Sequence, residues 1–126
     1  MYEQPVLDLS FKTVADLSAY QYMFVKLSSG TVIAACGANE RSVGILQNKP
    51  DASGKEAVVR VAGVSQLKVN EAIAVGKMIT STSGSLGEVA DAASEWVGAI
   101  ALEAATAQND RIAVLLAGFD AYESDA

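Results

Sequence analysis

Tyr22-Met23-Phe24-Val25-Lys26-Leu27-Ser28-Ser29-Gly30-Thr31-Val32-Ile33-Ala34-Ala35 is the stretch on which the fold turns. Two apolar runs, 22–27 and 31–35, flank a short polar segment that ends in glycine, the residue that takes up the positive φ of tight turns without steric cost. The reading is a β-hairpin. Working outward, similar runs stand at 43–47, 57–62, 64–69, 78–81, 97–102 and 112–117, punctuated by Gly, Pro, Asn, Asp and Ser. Upstream, Leu7, Leu9 and Phe11 alternate with Asp8, Ser10 and Lys12, the period of two of an extended strand. Many short strands at short intervals predict a barrel or sandwich. Two places read less simply. Thr13, with Asp16 three residues on, caps one helical turn ending near Ala19. Residues 99–107 are alanine-rich, which favours helix, but their place between Val97-Gly98 and Asp110-Arg111 favours strand through Leu102.

Displacing the sequence by 54 positions lays residues 24–61 on 78–115 without a gap. Ser29-Gly30 falls on Ser83-Gly84, Ala38 on Ala92, Val43-Gly44 on Val97-Gly98, and the run 58–61 on 112–115. Only five positions are identical, so the match rests on turn glycines and strands coinciding in order. Two copies of one strand, turn, strand, loop, strand, loop, strand unit are expected, linked by residues 64–75. The fold class is therefore all-β: a small β-barrel or β-sandwich with a pseudo-duplicated strand unit and an extended N-terminal arm. A single domain spans 1–126, with the arm at 1–20, the barrel core at 21–118 and an acidic tail at 119–126. A chain of 126 residues buries one real core.

Composition narrows the function. Half the residues are apolar (51%) but only 6% aromatic, which suits thin strands with small side chains. The single cysteine, Cys36, closes no internal disulfide, and its neighbours Ala34, Ala35 and Gly37 mark it as a buried small hydrophobe. No apolar run is long enough for a membrane-spanning helix, and Met1-Tyr2-Glu3-Gln4-Pro5 lacks the basic start of a signal peptide, so a soluble protein made in the cytoplasm is expected, with no membrane partner. The net charge of −6 argues against nucleic acid, and the nine Lys and Arg residues are scattered along the chain without a visible patch. Residues 1–77 hold eight bases and seven acids, whereas 78–126 hold only Arg111 against eight acids. That asymmetry suggests that the C-terminal part faces water while the rest meets a partner.

Catalytic chemistry is mostly excluded. With no histidine, the usual Ser and Cys triads, His-ligated zinc and imidazole acid/base chemistry are missing. The Gly76-Lys77 pair is not a phosphate-binding loop, because position 71 is Glu71 and position 78 is Met78. Glu88, Asp91 and Glu95 lie close together, but acids in a Gly, Ala and Ser-rich loop read as solvated surface. No catalytic, cofactor-binding or metal-binding residue is assigned, and the chain is read as not an enzyme.

The candidate residues are therefore those of an interface. Tyr20, Tyr22 and Phe24, at alternate positions, are assigned to the core. Trp96 is weighed as either a barrel filler or an exposed anchor, and Tyr2, Phe119 and Tyr122, near the termini, have a stronger claim on an interface. The arm carries Val6, Leu7, Leu9 and Phe11. It is read either as a strand added to a neighbour's sheet edge or as cover for its own barrel. On the first reading, deleting residues 1–12 removes binding and leaves the β fold intact.

The residues also resemble a family. Leu9-Ser10-Phe11-Lys12, Ala15-Asp16-Leu17-Ser18-Ala19, Tyr22-Met23-Phe24-Val25-Lys26-Leu27 and Val43-Gly44-Ile45-Leu46-Gln47, in succession with Val61-Ala62-Gly63-Val64, Ala72-Ile73-Ala74-Val75-Gly76, the run from Val97 through Ala105, and Ile112-Ala113-Val114-Leu115-Leu116, resemble the capsid decoration, or cement, proteins of tailed bacteriophages. The resemblance implies a β-barrel protein on the capsid exterior of the virion. Its partners would be the phage major capsid protein and itself, as a homotrimer, and its role to reinforce the head. The competing reading is a β-domain that binds carbohydrate or another small ligand, with Trp96 and the nearby acidic loop as its site.

Overall fold

The alternation of Leu7, Leu9 and Phe11 becomes strand β1 (Gln4–Thr13) in the computed structural model. The model describes all of the chain except residues 1–3, 30–31, 39, 91–94, 118–120 and 124–126. The hairpin is β2 (Phe24–Leu27) and β3 (Val32–Ala35), antiparallel, with Gly30 and Thr31 outside the described residues. There follow β4 (Gly44–Leu46), β5 (Glu56–Lys68), β6 (Met78–Ser81), β7 (Gly87–Val89), β8 (Glu95–Val97), β9 (Ala99–Ala101), β10 (Arg111–Ala117) and β11 (Ala121–Glu123). Nine of these make one sheet in the order β1-β3-β2-β4-β5-β10-β9-β6-β7, and β1 also pairs with β5. That last pairing closes a five-stranded barrel, β1-β3-β2-β4-β5. A second ring, β5-β10-β9-β6-β7, is drawn shut by a parallel bridge between Val69 and Gly87. A β-carbon on Gly87 would sit 2.8 Å from Leu67 Cδ2, so only glycine lets β7 come this close.

The duplication is present, with one refinement. Adding 54 to Val25↔Ala35 of the first hairpin gives Ile79↔Val89 of the second, the observed register. Beyond the hairpin the step is 55. Val25↔Gly44 maps onto Ile79↔Ala99, and Ile45↔Arg60 onto Ile100↔Leu115. One extra residue thus stands before β9, so Gly44 corresponds to Ala99 rather than Gly98. The register correction matters because a one-residue slip exchanges the two faces of a strand. With it, inward residues match inward residues: Val25 with Ile79, Leu46 with Ala101 and Val59 with Val114, all within 1% of complete burial. Each large aliphatic side chain buried this way stabilises the fold by roughly 1.5–3 kcal/mol.

Other expectations need adjusting. Residues 57–62 and 64–69 form one strand, not two, because Gly63 takes φ 104 in mid-strand and lets β5 pass from the first barrel to the second. Thr13 caps no helix: its hydroxyl donates to Ala52 O at 2.9 Å, and a single 3₁₀ turn, Ser18–Tyr20, follows. Tyr20, Tyr22 and Phe24 do not share one strand, since Tyr22 lies in a turn at φ 64. Of the three only Phe24 is fully buried, while Tyr20 packs partly against the first core. Cys36 is buried at 1% exposure, its Sγ 3.5 Å from Glu40 O.

Candidate functional site

Residues directly opposed on neighbouring strands share a face of the sheet. The observed registers align Val64 of β5 with Leu115 of β10, Leu115 with Ile100 of β9, and Ile100 with Met78 of β6. Gln4 of β1 stands opposite Val64 at the other end. The strands alternate, so Ile79, Ala99, Ala101 and Val114 turn into the core while Met78, Ile100 and Leu115 turn outward. Met78 is 42% exposed, Ile100 38% and Leu115 42%, which is far from the usual burial of such side chains.

The duplication explains why the row is there. Its counterpart in the first unit is Phe24, Ile45 and Arg60. Phe24 and Ile45 are fully buried, because they project from the far side of the first barrel into the core of the second. Arg60 is tied down by Asp8, Nε to Oδ1 at 2.9 Å and Nη2 to Oδ2 at 3.2 Å, and by Val64 O at 3.1 Å. Phe24 and Ile45 of the first unit's outer row are thus covered by the second unit, and Arg60 is held by β1 and β5. Among the described residues nothing equivalent covers the second unit's row, which stands open.

The residues proposed from sequence fall in several places. Val6 and Leu7 are exposed, at 76% and 46%, beside one end of this row. Val6 sits at a register shift in the β1–β5 ladder, and Leu7 lies opposite Ala62, itself opposite Ala117. Leu9 is 40% exposed, but Phe11 packs against the first core. Trp96 on β8 is half-buried with the Arg41 guanidinium 5.1 Å from its ring centroid, and Tyr122 on β11 stands opposite it in the backbone register. Tyr2 and Phe119 lie outside the described residues. The stretch 4–13 is extended as expected, and its ladder is to β5 of its own chain. Met78, Ile100 and Leu115 were not singled out from sequence. The available signal was apolar residues on both faces at once, Ala99-Ile100-Ala101 and Val114-Leu115-Leu116, where a strand with one solvated face should alternate.

Comparison with known proteins adds the context. The family model described as phage cement protein matches residues 3–116. Among solved structures, the chain is similar to the head fiber gp8.5 N base in bacteriophage phi29, with a TM-score of 0.68 and 16% identity, covering 91% of this chain and 97% of that one. At that identity the likeness is one of fold. No curated protein matches the chain.

Proposed function

The chain belongs to the phage cement protein family, a structural protein of the phage head, and on that premise we propose that it binds the outer surface of the capsid and reinforces the head by multivalent docking onto major capsid subunits. The observation that carries the reading is the open row Met78, Ile100 and Leu115, whose counterparts in the first unit are sealed. A rigid sheet face with apolar side chains at fixed spacing is a surface that gains by being covered. Val6 and Leu7 extend it at the β1 end.

One small subunit buries a modest area, on the order of 800 Å² on each partner, and such contacts vary widely in strength. Three copies acting together as a homotrimer convert later contacts into intramolecular ones, so weak docking becomes durable. The reading needs no catalysis, cofactor or nucleic acid. Carbohydrate recognition at Trp96 is less well supported, since the Arg41 guanidinium occupies one face of the ring a sugar would stack on.

Sedimenting undecorated heads with Ile100→Glu and Leu115→Glu variants tests the proposal. Both sites are already partly exposed, so the circular dichroism should be unchanged while co-sedimentation weakens by at least about tenfold. Leu27→Glu, at an apolar residue 45% exposed and off the row, should bind like the parent. Row variants that bind as well as the parent would refute the reading.

A further inference from the structure

Although the cations are scattered in sequence, three of them meet in space. Lys49, Lys68 and Arg111 line a polar pocket of ≈ 460 Å³ together with Gln21, Tyr22 and Asn109, and no carboxylate is part of its wall. That is the size range of small-ligand sites. Lys68 and Arg111 are directly opposed on β5 and β10. Like charges facing across a ladder repel, so this pair is unfavourable unless something neutralises it. Among the described residues, none of the three cations has a carboxylate at ion-pair distance. The acids nearest in sequence and around the pocket's rim are committed elsewhere: Asp51 lies 3.7 Å from Lys55 Nζ, and Glu71 accepts from Val89 N at 2.9 Å. Asp110 accepts from Thr106 N, Thr106 Oγ1 and Ala107 N, and Asp16 accepts from Ser18 N and Oγ.

The backbone around the pocket is built for position. The Arg111 guanidinium lies 5.5 Å from the centroid of the Tyr22 ring, which holds it by a cation–π contact. Tyr22 presents that ring from φ 64, fixed by its N–H donating to Leu46 O at 2.7 Å and its C=O accepting from Lys68 N at 2.8 Å. Asn109 takes φ 70, its N–H donating to Val69 O at 2.7 Å. Positive φ in non-glycine residues concentrates at ligand sites. Among the described residues only Ser85 shares it with these two.

We propose that this pocket binds an oxyanion, held by Lys49, Lys68 and Arg111, of the kind presented by the carboxylates of an acidic protein segment or by a phosphate. Arg111 and Leu115 stand on the same side of β10, four residues or about 13 Å apart, so the pocket opens on the face that carries the apolar row. A partner covering the row brings its own acidic side chains within reach. That preference for a protein carboxylate rests on the docking reading, whereas the taste for oxyanions does not.

Calorimetric titration of the whole chain with inorganic phosphate and, separately, with an acetylated tetraglutamate peptide tests it without any capsid present. Saturable binding of either probe is expected, weakened by added salt. Lys68→Met and Arg111→Met should each lower the affinity about tenfold. Lys49→Met, on an exposed loop, is the variant least able to disturb the fold, and Lys77→Met, outside the pocket, should change nothing. Tighter binding of the peptide assigns the site to a protein carboxylate, and binding of phosphate alone assigns it to a free anion. If neither probe binds, or the pocket variants bind as the parent does, the proposal falls.

Discussion

At the scale of the residue, charge and burial make two predictions. Thr80 is 2% exposed, and among the described residues its hydroxyl has no hydrogen-bond partner. Thr80→Val keeps the shape and removes the orphaned group, so it should stabilise the fold by about 1 kcal/mol, read as a higher melting temperature. A lower one would show that the hydroxyl is satisfied. The carboxyls of Asp16, Glu40, Glu103 and Asp110 are all held below their ordinary range. The causes are Ser18, Lys26, the Ala113 N–H and Thr106 respectively. Each gives up its proton more readily folded than unfolded, so in the acid range the unfolded chain holds more protons and stability rises with pH. Their contribution is complete above the ordinary values of 3.8 for Asp and 4.5 for Glu and is lost as the pH falls through the folded ones. With no histidine, no side chain of ordinary pKa titrates from about pH 6 to 8. The melting temperature should be flat there and drop in acid, and a slope of several degrees across neutrality would contradict this. The missing histidine is plain in the sequence. The isolation of Thr80 is not, because it depends on what the folded sheet places around one oxygen.

At the scale of the element, β1 separates what patterning specifies from what it leaves open. The alternation through Phe11 marks a strand, but an extended strand satisfies its ladder equally well on its own barrel or on a neighbour's edge. The structure takes the first course, from Gln4↔Val64 to Lys12↔Glu56, reinforced by Asp8 on Arg60. Deleting residues 1–12 is therefore expected to open the first barrel and abolish its cooperative unfolding transition, instead of leaving the fold intact. A truncated chain that melts within a few degrees of the parent would show β1 to be dispensable. The duplicated unit was legible to within one residue, because turn glycines and apolar runs recur in order. The extra residue before β9 was not, since an ungapped comparison carries no information about pairing. Gly63 misled for a related reason. Glycine usually breaks a strand, and here it bends one through two barrels.

At the scale of the whole molecule, the charge asymmetry between sequence halves does not divide the surface. Both rings share β5, and the open apolar row stands on β6, β9 and β10, within the half that carries the acidic excess. Likewise, Lys49, Lys68 and Arg111 look dispersed until β10 pairs with β5 and Tyr22 is tied to both β4 and β5. Fold class was readable because it depends on local periods and turns. The outward face was not, because only the stacking of one unit on the other decides which of two equivalent rows is sealed. Electron cryomicroscopy of undecorated heads incubated with the purified protein decides whether it docks through the open row. Discrete density on the outer surface is expected at saturating, regular occupancy, with Met78, Ile100 and Leu115 turned toward the shell. Bare heads, or bound copies with that row facing solvent, would contradict it.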